Sequence, residues 1–188
     1  MPNWCNNSLR IGHEDQAKVQ LVIDALANES FFSTLLPCPQ ELKDTVSGSV
    51  AENEKEAHEA QQASNREKYG FADWYEHNLA VWGTKWDISD VNIAEHKDNE
   101  LYIGFSSAWS PPLRGYKNLR KLGYTIRAMY YESGMGFCGI WDEGDDEYYD
   151  IDEPDNQQWL DNNIPENLLE EMGIEAWEDQ DDYVATLG

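Results

Sequence analysis

Several residues combine aromatic rings with cations in a way that a ligand pocket would use: Trp82, Lys85, Trp86, Asp87, Trp109, Arg114 and Tyr116. Rings beside Lys and Arg can enclose a small ligand or stack a base. Asp87 and Glu132 are the carboxylates that would serve such a pocket as an acid–base pair, although spacing alone does not set their separation. Large aromatics at strand starts equally make the edge of a core, so a purely structural reading of the same residues stands beside the pocket.

Residues 134–139 read Gly-Met-Gly-Phe-Cys-Gly, the letters of a dinucleotide fingerprint. That chemistry needs a helix starting there, with free N–H groups on the pyrophosphate. Ile140, Trp141 and a run of acids follow instead, so the glycines predict a turn or bulge. Cys5, Cys38 and Cys138 with His13, His58, His77 and His96 show neither paired metal-ligand spacing nor a His-Glu-x-x-His pattern. Three cysteines are an odd number, which predicts reduced, buried thiols, although Cys5 and Cys138 could meet across a sheet. The carboxylates of residues 142–155 fail the calcium-loop pattern, because the sixth position counted from Asp150 is Asp155 rather than Gly. Neither metal nor cofactor is expected.

Charge is the strongest feature. In 188 residues there are 13 Lys and Arg against 37 Asp and Glu, a net charge of −24 and a pI near 4.2. Such a balance argues against direct nucleic-acid binding and against anionic membranes. With 40% hydrophobic and 12% aromatic residues the chain is expected to fold. No apolar run approaches the roughly 18 residues of a membrane span, and residues 1–4 do not read as a signal peptide. A cytoplasmic protein is expected.

The charge is uneven. Arg127 is the last basic residue, and residues 141–188 hold 18 acids and no base, leaving the first 140 residues at only −6. Large apolar residues interleave with those acids, including Trp159, Leu160, Leu168, Leu169, Met172 and Trp177. Pro165, Glu166 and Gly173 mark the start and stop of a helix. Short helices are expected to dock on the preceding domain and turn a carboxylate face outward. The residues of that face are Asp142, Glu143, Asp145, Asp146, Glu147, Asp150, Asp152, Glu153, Asp155, Glu170, Glu171, Glu178 and Asp179, with Trp159 and Trp177 as anchors.

The elements that would position these groups follow from periodicity. Residues 3–13 read as a strand. Glu14 or Asp15 starts a helix with Val19, Val22, Ile23 and Leu26 on one face, ending near Asn28. Pro37-Cys38-Pro39 stops any regular element. Residues 44–70 are polar and lack an apolar face, and read as an insertion, either a solvated helix or a mobile arm. A helix is predicted from Phe71 through Leu79, strands over 86–94, 101–105 and 124–131, a helix over 111–122, and a short strand over 137–141. Without the insertion the order is strand, helix, strand, strand, helix, strand. That is α+β, a ferredoxin-like split βαβ sandwich with helices on one face of an antiparallel sheet. The expected organisation is residues 1–141 as this domain and 142–188 as an acidic, partly helical extension.

Four blocks occur in order: Met1-Pro2-Asn3-Trp4-Cys5-Asn6-Asn7; Trp82-Gly83-Thr84-Lys85-Trp86-Asp87; Phe105-Ser106-Ser107-Ala108-Trp109-Ser110-Pro111-Pro112; and Tyr130-Tyr131-Glu132 with Gly134-Met135-Gly136-Phe137-Cys138-Gly139. They resemble the YubB ferredoxin-like family of small plasmid- and phage-borne proteins, over residues 1–141 less the insertion. The resemblance implies the same fold, a bacterial cytoplasm and a mobile-element origin, and implies no activity.

The function expected from these features is binding without catalysis. The acidic face would engage a basic host protein, a nucleic-acid or defence factor, as a mimic of DNA. Duplex DNA carries one charge per roughly 1.7 Å, so 18 carboxylates match roughly 30 Å of it. The alternative is a small-molecule or nucleotide-binding protein, or an enzyme, using the aromatic pocket. The chain is expected to be a monomer or a dimer paired through an edge strand.

Overall fold

The computed structural model describes residues 3–177. Strand β1 (Trp4–Gly12) lies between β3 (Glu100–Ala108) and β4 (Thr125–Glu132), antiparallel to both. Its alternation sends Cys5, Asn7, Leu9 and Ile11 to one face, and Asn6, Ser8 and Arg10 to the other. Beyond β3 lies β2 (Ser89–Lys97); beyond β4 lie β5 (Phe137–Asp142) and β6 (Asp145–Asp150). The six-stranded antiparallel sheet therefore has the order β2-β3-β1-β4-β5-β6.

Helix α1 (Gln16–Ala27) starts where the Asp15 side chain accepts the N–H of Ala17, and ends at Asn28. After it come α2 (Phe31–Leu35), α3 (Gln40–Lys43), α4 (Lys55–Tyr69), α5 (Trp74–Val81) and α6 (Leu113–Lys121). Leu9, Ile11, Leu101, Ile103 and Ile126 of the sheet pack with Val19 and Val22 of α1, Phe31 and Phe32 of α2, and Tyr116 and Leu119 of α6. Each such side chain contributes about 1.5–3 kcal/mol by leaving water.

The polar insertion forms helix α4. Its single buried residue, Asn65, donates to Thr45 Oγ1 at 2.9 Å and to the Ala72 carbonyl at 2.8 Å. Lys68 pairs with Glu41, and Arg66 with Glu76. This is a solvated helix tied down near its C-terminal end.

The acidic segment differs from a set of short helices. It begins with a strand, β6, joined to β5 by a two-residue turn, Glu143 and Gly144, with φ of 51° and 118°. Positive φ at both positions matches the right-handed twist of the flanking strands. Helices α7 (Gln157–Asn163) and α8 (Glu166–Met172) follow. Asn156 caps α7 through the N–H of Trp159, and Gly173 closes α8 with φ 62°. Both helices lie on the sheet face opposite α1 and α6, where Leu160, Ile164, Leu168 and Leu169 cover Cys138, Met129, Tyr131 and Ile140. Helices α1 and α6 thus share one face of the sheet, and α7 and α8 of the extension cover the other. Among the described residues no helix is long and apolar enough to cross a membrane.

Candidate functional site

The four sequence blocks meet at one end of the sheet. Trp4 pairs with Ala108, and the Trp109 N–H donates to the Asn3 carbonyl at 2.9 Å. The Thr84 hydroxyl donates to the Ala108 carbonyl at 3.5 Å. Beneath them Asn7 Nδ2 donates to Ser107 Oγ at 2.9 Å, and the Tyr116 hydroxyl donates to Asn7 Oδ1 at 3.2 Å. Thr84, Ser107 and Glu132 are all buried here. Burial, with the Glu132 charge adding to it, pushes the Cys5 thiol up to about 12. Each buried oxygen and amide named here has a partner, as buried polar groups require.

The residues read as a pocket divide into three groups. Trp82 and Tyr116 belong to the core; the Trp82 indole N–H donates to the Leu36 carbonyl at 2.8 Å and its ring stacks on Phe32 at 5.7 Å. Asp87 and Glu132 are held by backbone. Asp87 accepts the N–H groups of Phe32, Ser33 and Ile88, and Glu132, 1% exposed, accepts those of Gly134 and Met135. Their oxygens accept backbone N–H groups, those of Asp87 at the start of α2 and those of Glu132 in the β4–β5 turn.

Lys85, Trp86, Trp109 and Arg114 lie at the surface. Lys85 Nζ sits 4.6 Å from the Trp86 ring centroid, and Trp86 lies 6.5 Å from Trp4. Trp109 is 53% exposed and has φ 71°, a left-handed conformation that costs a bulky residue energy. Arg114 donates to the Leu79 carbonyl at 3.2 Å. These residues form an exposed aromatic surface rather than an enclosed cavity.

Gly134, Gly136 and Gly139 have strand context on both sides. Gly136, with φ 69°, lies in the β4–β5 turn. Gly139 lies within β5, where a Cβ would stand 2.3 Å from the Tyr130 hydroxyl. No helix follows this stretch directly, so it lacks the N–H groups that hold a pyrophosphate. Cys5 and Cys138 point to opposite faces of the sheet and do not meet. Burial pushes Cys138 up to about 12. Among the described residues no group of three or more His, Cys, Asp or Glu could hold a metal ion.

The acidic residues also divide. Asp142 pairs with Arg127 at 2.7 Å and Glu143 with Arg120 at 2.9 Å, with Glu143 also accepting the Ile126 N–H. Glu171 turns back to the sheet and accepts hydroxyls from Ser8, at 2.8 Å, and Tyr102. Asp146, Glu147 and Asp150 accept the hydroxyls of Tyr130, Tyr149 and Tyr148, and Glu153 accepts from the Asn156 amide. Asp145, Asp152, Asp155 and Glu170 are exposed. Among the described residues none of the acids from Asp145 onward has a cationic partner within 4.0 Å. Trp159 is half-buried against the second core, whereas Trp177 is exposed. Glu178 and Asp179 lie outside the described residues.

A groove that no motif signals lies on the sheet face beside α8. Ser8, Arg10, Tyr102, Arg127 and Glu171 border it, and its volume is about 400 Å³. The trace of it in the sequence is the alternation of β1, which sets Ser8 and Arg10 opposite Leu9 and Ile11.

No family model matches the chain, and no curated protein matches it significantly. Among solved structures it is similar to the crystal structure of api92 from Yersinia pseudotuberculosis, a protein carrying the family model DUF1281. The identity is 13%, over 79% of this chain and 98% of that chain, with a TM-score of 0.44.

Proposed function

We propose that the chain is a non-catalytic binding protein that engages a basic partner through the carboxylates of β6 and the segments after it. The observation that carries this reading is the run of exposed acids from Asp145 onward with no cationic partner among the described residues. Like charges held on one folded surface repel one another. Solubility alone would tolerate interspersed lysines, and this segment has none.

The array is held in place rather than trailing. β6 is pinned to β5 by its ladder, and α7 and α8 are pinned by apolar residues. The carboxylates on β6 then occupy roughly 20 Å of edge strand, Asp146 and Asp150 on one face of the sheet and Asp145 and Glu147 on the other. The partner class that fits is a nucleic-acid or defence protein with a basic cleft. A phage or plasmid origin, implied by the YubB resemblance, agrees with such a target in a bacterial cytoplasm. Exposed Trp177 and Tyr148 supply aromatic anchors of the kind that dominate interfaces, while Trp159 serves the core.

The βαββαβ order of the first four strands, with β1 central between β3 and β4, supports a ferredoxin-like reading of residues 1–141, with β6 of the acidic segment added to the sheet at β5. The test is capture from bacterial lysate by the native chain and by a D145N/E147Q/D152N/D155N variant. A basic nucleic-acid-binding protein retained only by the native chain, and released by salt, is the expected result. Equal capture by both chains would overturn the reading. Removing residues 142–188 is a poorer test, because it uncovers Met129, Tyr131 and Ile140.

A further inference from the structure

We propose that the groove between the sheet and α8 binds a small organic oxyanion, a phosphate monoester or a carboxylate carried on an apolar body. This site adjoins the acidic array, sharing Glu171 with it, but takes an anion through arginines.

Strand register sets two cations against each other. Arg10 of β1 and Arg127 of β4 are directly opposite one another. Like charges in that position are destabilising, and both arginines sit in a chain where cations are scarce, 13 against 37 acids. Arg127 is neutralised by Asp142 at 2.7 Å. Arg10 is not: among the described residues it makes neither an ion pair nor a side-chain hydrogen bond, and its guanidinium lies 4.9 Å over the Tyr102 ring. A guanidinium stacked on a ring keeps its in-plane N–H donors free, and those donors match the two oxygens of a carboxylate or phosphate.

The rest of the groove sets the shape of the ligand. Met129 and Ile140 line it with apolar surface from the central part of β4 and β5. Glu171 of α8 is tied to the sheet by hydroxyls from Ser8 and Tyr102, and Asp142 lines the groove as well, so two carboxylates stand in its wall beside the two arginines. A bare dianion there gains only the arginines, whereas an oxyanion head at Arg10 with an apolar body also gains contact with Met129 and Ile140, which offsets the nearby carboxylates. About 400 Å³ suits a molecule with one ring. The groove exists only because α8 packs on β1 and β4, so the acidic extension supplies one wall of it.

The strongly negative surface elsewhere disfavours adventitious anions, which makes anion titration informative. The experiment is NMR of the full chain, following the Arg10 and Arg127 Nε–H signals and the Met129 methyl. The probes are phenyl phosphate, benzoate and inorganic phosphate, each titrated at constant ionic strength. Saturable shifts of all three reporters with phenyl phosphate or benzoate are expected, at least tenfold tighter than with inorganic phosphate. Saturation by one of the two identifies the head group. Arg10→Gln is expected to weaken binding at least tenfold with the remaining spectrum unchanged, and Glu171→Gln to tighten it. Absence of saturable shifts with both organic probes, equal affinity for inorganic phosphate, or unchanged binding in Arg10→Gln would overturn the proposal.

Discussion

The Oδ2 atom of Asp87 receives both the backbone N–H of Ser33, at 2.9 Å, and its hydroxyl, at 2.8 Å, across 54 positions of sequence. Asp87 Oδ1 takes the N–H of Phe32 at 2.8 Å and that of its own neighbour Ile88 at 3.0 Å. One carboxylate thereby joins the start of α2 to the segment leading into β2, and satisfies donors that the first turn of a helix leaves unpaired. It also sits at the positive end of that helix.

Replacing Asp87 by Ala is expected to cost about 1–3 kcal/mol, because buried donors lose their acceptor. Asp87→Asn retains one acceptor oxygen and should cost less. Urea unfolding of the two variants checks the order; an Asp87→Ala chain as stable as the native one would contradict the assigned role.

The hairpin that carries the acids is held by a second long-range tie. The Tyr130 side chain crosses β5 over Gly139 and donates its hydroxyl to Asp146 of β6 at 2.8 Å. A Cβ at position 139 would stand 2.3 Å from that hydroxyl and 2.6 Å from the Glu147 carbonyl. Gly139→Ala is therefore expected to cost about 1–3 kcal/mol by overpacking, and to raise hydrogen exchange in β6. Tyr130→Phe keeps the ring and should cost only about 1 kcal/mol. Exchange measurements and denaturation together distinguish the two effects.

Acids without cationic neighbours make the fold sensitive to salt. Screening shortens the reach of their repulsion to about 8 Å at physiological ionic strength. The melting temperature of the native chain is expected to rise with NaCl. A D145N/E147Q/D150N variant should melt higher than the native chain at low salt, by about 2–4 °C for each kcal/mol of repulsion removed, and respond less to added salt. Calorimetry across a salt series gives the answer.

His77 contributes to the pH dependence of stability. It is buried edge-on to Phe71 at 5.4 Å, and burial holds its pKa below the ordinary value of 6.5, with Lys43 adding to that and the Asn78 side chain opposing it. The unfolded chain then binds the proton more readily than the folded one. The stabilising contribution is therefore complete above pH 6.5 and is lost as pH falls from there through the folded value. Across that interval the His77 contribution is expected to decline on acidification, so the unfolding free energy of the native chain should fall relative to that of His77→Phe.

Several of these features are readable in the sequence. Asp15 with Val19, Val22 and Leu26 specifies α1, because a cap and a single apolar face agree. Gly173 marks the end of α8 for the same kind of reason. β6 is not readable: its residues are acids and tyrosines, so no apolar alternation betrays a strand whose stability comes from the β5 ladder and a two-residue turn. The sheet face chosen by α7 and α8 is equally silent, since Leu160 and Leu168 require an apolar surface without naming which one. Trp82 and Tyr116 are the same residue types whether they line a pocket or fill a core, and only their neighbours decide. Asp87 looks like a free acid until the chain brings α2 to it. Arg10 and Arg127 lie far apart in the chain and become a pair only through strand register.

The most direct measurement of DNA mimicry by the acidic array is competition. A protein captured through that array is mixed with a labelled duplex oligonucleotide, and the chain is added while anisotropy is followed. Displacement of the duplex is expected, with an apparent affinity that falls steeply as salt rises and is lost in the D145N/E147Q/D152N/D155N variant. Binding of duplex and chain to the captured protein at the same time, or displacement that survives neutralisation of those four acids, would contradict it.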